Sequence, residues 1–387
     1  MATHIPQNYA DMVAPMRSAH ADILSALQRH GIAFPDYPPL DRPGNPRGVA
    51  AARAYPMQGV LKYHGMTDWV WRIAYLPSIS VCNDAAHTLT LVEFDPDLPD
   101  DVATIGGVTA AGRDLERVKQ SLDAVRRAAR MTTRARVTSK NVARGGKTGK
   151  GLGTSASGSA ALAMAAIAAA LGPEATANTR FVSSLARMLA GSGCRSATGG
   201  VSLWLSYPGI AHEDSFAVRL DNHDQLGEIR LITVPIDSRI GLKTEAAHTD
   251  APNSPLFKCW VLNRRAETLR CIDAVQTGDW QTVGRLAELD SIQLHAVTMT
   301  GSEDDKIFAW EPENLTIFRA CNALRAQGVP VYASTDTGPT VVLLTHRDNV
   351  DRVASHMRAL GFDAIEGEIG GPAHLVDVDQ ARAELAH

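Results

Sequence analysis

The chain has 387 residues, 45% of them hydrophobic and 21% charged, with a formal net charge of -4 at neutral pH. That length exceeds what one ordinary core supports, so two domains of usual size are expected. The acidic balance leaves no general basic field to attract nucleic acid or an anionic membrane, while a local basic pocket stays open.

Residues 1–47 read as an extension. Met12, Ile23, Leu24 and Leu27 have helical spacing within 9–30, and 34–46 is Pro-rich. The extension is expected to pack on the body without chemistry of its own. The polar start has no hydrophobic signal region, and the longest apolar run, 160–171, is too short for a bilayer, so a cytoplasmic location is expected. The five cysteines, Cys82, Cys194, Cys259, Cys271 and Cys321, form no C-x-x-C pair and read as free thiols.

The body opens at Gly48 with a first strand over 49–56, followed by a polar and aromatic run from Gln58 to Met66. Lys62 falls at its strand end. Strands are expected over 78–81 and 87–94, the second alternating Thr88, Thr90 and Val92 against Leu89, Leu91 and Glu93. A helix over 113–131 and a strand over 134–139 follow. A basic Gly-rich loop with Arg144, Lys147 and Lys150 then leads into Gly151-Leu152-Gly153-Thr154-Ser155-Ala156-Ser157-Gly158-Ser159-Ala160.

Small residues there let the backbone approach a ligand closely, and the amides and dipole of the following helix favour an anion such as phosphate. No Gly-Lys-Ser/Thr closes the stretch as in a Walker loop, and no strand directly precedes it as a dinucleotide fold requires. The same residues would equally suit a turn capping an Ala-rich core helix, so other residues must decide. A second helix over 179–189 ends in the turn Gly191-Ser192-Gly193-Cys194-Arg195-Ser196, before a strand over 200–206. Beyond Asp221 come a strand over 229–236, helices over 254–277 and 281–295, and a loop opened by His295. The closing unit is a helix over 314–327, a strand over 329–333, the loop Ser334-Thr335-Asp336-Thr337-Gly338-Pro339, a strand over 340–344 and a helix over 348–360. This order points to an α+β layer.

Leu61-Lys62-Tyr63-His64-Gly65, the stretch 151–160, Gly191–Ser196 and Asp336-Thr337-Gly338-Pro339 stand in this order along the chain. Together they resemble the mevalonate diphosphate decarboxylase branch of the GHMP kinase superfamily. Its members carry a K-Y-W-G-K run, a G-L-A-S-S-A-A-G loop, a G-S-A-C-R-S turn and a D-A-G-P-N segment; His295-Ala296 adds a fifth point. The chain departs from that pattern at His64, where Trp is usual, at Met66, where Lys is usual, and at Leu76, where Asn is usual. The run 54–66 looks closer to the phosphomevalonate decarboxylases, which act on mevalonate 5-phosphate and give isopentenyl phosphate.

The resemblance implies a two-domain fold: a ribosomal-protein-like α/β domain over 48–221, and a ferredoxin-like α+β domain over 222–387 that closes on it. It also implies ATP and Mg, a phosphorylated mevalonate as substrate, and a homodimer. ATP would phosphorylate the tertiary 3-hydroxyl, and the new phosphate would leave with carbon dioxide. Asp336 is then the base, with Lys62 paired to it, and Arg195 is the two-point fork for the substrate carboxylate. Tyr63, Ser192 and Ser139 would contact substrate. Gly151, Gly153, Thr154, Ser155, Ala156, Ser157, Gly158 and Lys147 would cradle the nucleotide, with Ser155 on the metal. Arg144 and Lys150 would reach phosphate, and His295 would be structural. A mevalonate 5-diphosphate decarboxylase giving isopentenyl diphosphate, a 3-kinase that stops after phosphorylation, an ATP-independent bisphosphate decarboxylase and a non-enzymatic sensor are the competing readings.

Overall fold

The computed structural model describes residues 7–40, 42–146, 153–238, 244–303 and 306–386. A short turn leads into α1 (Val13–Arg29), and the body begins with β1 (Val49–Ala54), β2 (Met57–Leu61), β3 (Met66–Asp68), β4 (Ile73–Ala74) and β5 (Ser78–Cys82). Next come β6 (Ala86–Asp95), β7 (Val102–Ile105), β8 (Val108–Thr109), α2 (Gly112–Ala128), β9 (Arg134–Ala143), α3 (Thr154–Leu171), α4 (Thr179–Ala186) and α5 (Gly193–Thr198). After β10 (Val201–Trp204) and β11 (Ala217–Arg219) the second half contains β12 (Ile229–Val234), α6 (Thr244–Asp250), α7 (Phe257–Gln276), α8 (Trp280–Gly301) and α9 (Pro312–Ala326). It ends with β13 (Val331–Ser334), β14 (Val341–His346), α10 (Val350–Ala359), β15 (Ile365–Gly367), β16 (His374–Val376) and α11 (Val378–Ala386).

Three larger sheets stack with helices between them. The first has the order β16-β1-β6-β9-β7-β8, the second β11-β10-β5-β2 and the third β13-β14-β12-β15. One core joins the first sheet to α2, α3 and α4. A second lies between the second sheet, α1, α7, α8 and one face of the third. A third packs the other face of that sheet on α9 and α10. Helix α3 is buried on nearly every side, because its alanines let sheet and helices approach from all directions. It is long and apolar enough to cross a membrane, yet 78% of it is buried inside the protein. It is the central core helix.

Several expectations are corrected here. The polar-aromatic run after β1 holds a second strand, β2, so Lys62 follows β2 and not the first strand. Both faces of the alternating strand β6 are covered. Thr88 bonds Ser157 on α3 at 2.6 Å, while Leu89 and Leu91 pack under Ala381 of α11. The tail assigned to the second domain returns to the first sheet, where Ala51 pairs with Val376 and Arg53 with His374. A division at 221/222 therefore misplaces β16 and α11. The turn at Gly193 is a short helix, α5, and His295 lies inside α8 instead of opening a loop. The N-terminal extension packs α1 into the second core through Ile23, Ala26 and Leu27.

Candidate active site

A cavity of about 480 Å³ opens where the ends of β2, α3 and α5 meet the loop after β13. Asp336 stands at its floor. The carboxylate accepts from the Gly59 amide at 3.1 and 3.2 Å and from Gln58 Nε2 at 2.9 Å. A β-bulge between Gly59 and Leu61 turns this part of β2 toward it. Gly59 is required there, since a Cβ would stand 2.6 Å from Asp336 Oδ1 and 2.7 Å from Lys62 Cγ. Burial pushes the Asp336 carboxyl above the usual carboxylate range, opposed by Lys62, Arg195 and the Gly59 amide. An ionised, desolvated carboxylate is the stronger base for that reason.

Lys62 is 3% exposed, and no ion pair joins it directly to Asp336 among the described residues. Its ammonium donates to Gly59 O at 2.9 Å, Ala287 O at 3.2 Å and Ser334 Oγ at 3.0 Å. The expected contact is thus relayed: Ser334 Oγ also accepts from Gln58 Nε2 at 3.0 Å, and the same amide group donates to Asp336. Burial lowers the Lys62 pKa, while the charges of Asp336 and Asp290 oppose that shift. Beneath it, Asp290 accepts from the Lys62 amide, and Arg264 Nη2 donates to Lys62 O at 3.0 Å and to Asp290 at 2.7 Å. A buried ion pair clamps both backbone groups of the lysine.

Arg195, on α5, is 2% exposed, and among the described residues its Nε and Nη1 have no hydrogen-bond partner. Buried guanidinium donors left unsatisfied are costly, and here they line the cavity beside Asp336. That is the arrangement expected of a fork waiting for a carboxylate. The Arg195 guanidinium lies 5.4 Å from the centre of the Tyr63 ring. Tyr63 is half-buried, stacks on His248 at 5.2 Å and shares a hydrogen bond with Ser192. Behind it His64 and His248 pack together, both held neutral by burial. Ser192 lines the cavity as expected; Ser139 does not. Its hydroxyl bonds Thr90 in the sheet at 2.9 Å.

The start of α3 forms another wall. Gly153 has φ 71°, and a Cβ on it would meet Met57 O at 2.4 Å. It bends the chain so that Thr154, Ser155 and Ala156 face the cavity at the N-terminus of an 18-residue helix. These residues fit a phosphate: a left-handed glycine, helix amides and an exposed Ser155 hydroxyl able to serve as a hard-cation ligand. Ser157 is turned away, bonded to Thr88 and to Thr154 O at 3.1 Å, and Gly158 is not among the lining residues. Lys147, Lys150 and Gly151 lie outside the described residues. Arg144 is held by Asp84 at 2.7 Å and Glu366 O at 3.1 Å, far from its expected phosphate role. His295 is buried against Trp310 with its pKa pushed down to about 3.

Sequence reasoning missed Gln58, Ser334, Asp290 and Arg264, and also Arg72, Arg113 and Arg117, which line the cavity. Only the last two carried a signal, a four-residue spacing on the amphipathic α2.

Known proteins resemble this chain along most of its length. The family described as diphosphomevalonate decarboxylase-like N-terminal domain matches residues 54–217. A phosphomevalonate decarboxylase of Haloferax volcanii is 37% identical over 333 residues, covering 86% of this chain and 99% of that protein. A mevalonate 3,5-bisphosphate decarboxylase of Thermoplasma volcanium is 28% identical over 376 residues, 96% of each chain. Among solved structures, the mevalonate diphosphate decarboxylase of Enterococcus faecalis, studied for mevalonate diphosphate mediated ATP binding, superposes with a TM-score of 0.75. It is 27% identical and covers 86% of this chain and 99% of its own. The chain belongs to the diphosphomevalonate decarboxylase-like family, within the mevalonate (di)phosphate decarboxylase branch of the GHMP kinase superfamily.

Proposed function

We propose that the protein is an ATP-dependent phosphomevalonate decarboxylase, converting mevalonate 5-phosphate to isopentenyl phosphate. The observation that carries this reading is the half-buried Asp336 carboxylate, fixed by Gly59 and Gln58 beside the Arg195 guanidinium, whose Nε and Nη1 have no partner among the described residues. Asp336 takes the proton of the tertiary 3-hydroxyl as its oxygen bonds the γ-phosphorus of ATP and ADP departs. The carbon–oxygen bond to the new phosphate then breaks with its electron pair. The carboxylate held by Arg195 leaves as carbon dioxide, and its bonding pair becomes the alkene. A guanidinium suits this step because it binds the carboxylate without giving it a proton, and a protonated acid would not lose carbon dioxide.

Thr154, Ser155 and Ala156 would hold the ATP phosphates, and magnesium against Ser155 would neutralise charge on the bridging oxygens. The 5-monophosphate is preferred over the diphosphate because Met66 is packed with Trp204 and Ala74 and brings no cation to the cavity. The 37% identical relative supports the same choice. A homodimer and a cytoplasmic location are part of the proposal.

The test incubates purified protein with ATP, magnesium and either mevalonate 5-phosphate or 5-diphosphate, following ADP, phosphate and carbon dioxide together. The proposal expects all three products, in equal amounts, from the monophosphate. Turnover of the diphosphate alone would make it a diphosphate enzyme, ADP without carbon dioxide a 3-kinase. Carbon dioxide from a 3,5-bisphosphate without ATP would place it with the relative from Thermoplasma.

A further inference from the structure

We infer that His248 is a positioning residue for Tyr63: held by the Gly65 amide, its ring braces the face of the tyrosine, so that α6 sets where the phenol meets substrate. The inference rests on the proposed function for the identity of the substrate, and on the packing around Tyr63 for the residue.

His64 stands where the family pattern has Trp, and a second imidazole, His248 of α6, packs on it with ring centres 4.6 Å apart. His64 is 1% exposed. Thr298 gives its hydroxyl proton to Leu294 O at 3.0 Å, so His64 Nε2 donates to Thr298 Oγ1 at 3.3 Å. Its Nδ1 has no partner among the described residues. Burial holds both rings neutral.

His248 is fixed in turn. Gly65 has φ 79°, and a Cβ on it would meet Tyr75 Cδ2 at 3.0 Å and Phe257 Cζ at 3.2 Å. Its N–H donates to His248 Nδ1 at 3.2 Å. Only an unprotonated ring nitrogen accepts such a bond, which puts the proton of His248 on Nε2. Ala247 before it and Ala251 one turn later are buried, and a Cβ on Gly301 of α8 would stand 2.8 Å from Asp250 O. Helix α6 is therefore seated closely on α8.

The Tyr63 ring meets the edge of Trp204 at 4.8 Å, the Arg195 guanidinium at 5.4 Å and the His248 ring at 5.2 Å, the last stacked with 11° between the planes. Of these three contacts, His248 alone comes from the second half of the chain. The Tyr63 hydroxyl bonds Ser192 at the cavity, which His248 also lines. Removing the imidazole opens that face of the phenol to the cavity and frees the hydroxyl to leave its place.

The test is a double-mutant cycle: kcat, KM for mevalonate 5-phosphate and KM for ATP in the parent, Tyr63→Phe, His248→Ala and the double variant. Each single change should raise KM for the phosphorylated substrate by about tenfold, the weight of one hydrogen bond to a charged group. KM for ATP should stay within about twofold. The double variant should bind substrate no worse than Tyr63→Phe alone, because His248 acts through the hydroxyl that this change removes. Two further variants separate bracing from stability. His248→Phe keeps the ring but leaves the Gly65 amide unpaired, so it should unfold earlier than the parent yet hold KM within about threefold of it. His248→Asn keeps an acceptor for the amide but no ring, so its KM should match that of His248→Ala. Recovery of KM by Asn and not by Phe would overturn the inference. So would additive losses in the cycle, a parallel rise in KM for ATP, or an unchanged KM in Tyr63→Phe, which would leave His248 nothing to position. If the parent turns over only the diphosphate, the functional reading fails, and the same cycle measured with that substrate still decides the role of His248.

Discussion

Replacing Gly59 by alanine probes the geometry of Asp336, the proposed base, most sharply. The added methyl would stand 2.6 Å from Asp336 Oδ1 and 2.7 Å from Lys62 Cγ, where ordinary contact begins at 3.4 Å. Either the carboxylate retreats by about 0.8 Å or the strand moves away from it, and both outcomes break the 3.1 and 3.2 Å bonds from the Gly59 amide. A displacement near 1 Å at reacting groups lowers rates by about a hundredfold, equivalent to about 2.7 kcal/mol of transition-state stabilisation. Overpacking in a buried place adds about 1–3 kcal/mol of lost stability. The assay follows ADP release at saturating ATP, with thermal unfolding measured alongside. The expected result is a loss of kcat/KM of about two orders of magnitude with a folded protein and little change in KM for ATP. Gly371→Ala, which meets nothing within 4 Å, serves as the control. Full activity in Gly59→Ala would refute the placement of Asp336 as the base.

Two further outcomes follow from the same site. Because burial raises the Asp336 pKa above 3.8, the acidic limb of kcat/KM should lie above the usual carboxylate range and vanish in Asp336→Asn along with the activity. The linked stability has the opposite sense: Asp336 favours folding most fully below its unfolded pKa, and that contribution is lost as pH rises through the folded value. A limb at or below pH 3.8 would contradict this. Asp290→Asn removes the nearer of two charge partners of Arg264, the other being Glu267 at 3.5 Å, and both Arg264 and Asp290 are 1% exposed. Such a change should lower the unfolding free energy by about 3–5 kcal/mol, read by urea denaturation, and reduce kcat by loosening the Lys62 backbone. Unaltered stability would mean that the ion pair is not buried as described.

Asp336, Lys62 and Arg195 were legible in the sequence because each sits in a short local string whose spacing survives folding. Their partners were not. Gln58 and Ser334 are ordinary polar residues on strands 276 positions apart, and only the packing of β2 against β13 brings them within 3.0 Å. Hydroxyl direction was equally hidden. Ser155 and Ser157 look alike in the string, but the two-residue step, a little over half a helical turn, sends Ser157 to Thr88 in the sheet and leaves Ser155 at the cavity. Ser139 was misassigned for the same reason, its strand face pointing to Thr90. The stretch before Arg195 reads as a turn because it is glycine-rich, yet it forms the six-residue α5 that aims the guanidinium inward. The return of β16 to β1 carries no local signal, since three-residue pairings are fixed by the whole sheet. Arg72 was overlooked because a charged hairpin residue ordinarily faces solvent, and its positive φ is visible only in the folded chain.

The central claim is that the tertiary hydroxyl is phosphorylated at Asp336 before carbon dioxide is lost. Its most direct test uses mevalonate 5-phosphate labelled with heavy oxygen in the 3-hydroxyl, with ATP and magnesium, and examines the released phosphate by mass spectrometry. The account predicts that every phosphate released carries the label, because the hydroxyl oxygen bonds phosphorus and leaves with it. Label recovered in water, with unlabelled phosphate, would mean that ATP hydrolysis and decarboxylation are separate events and would contradict the mechanism.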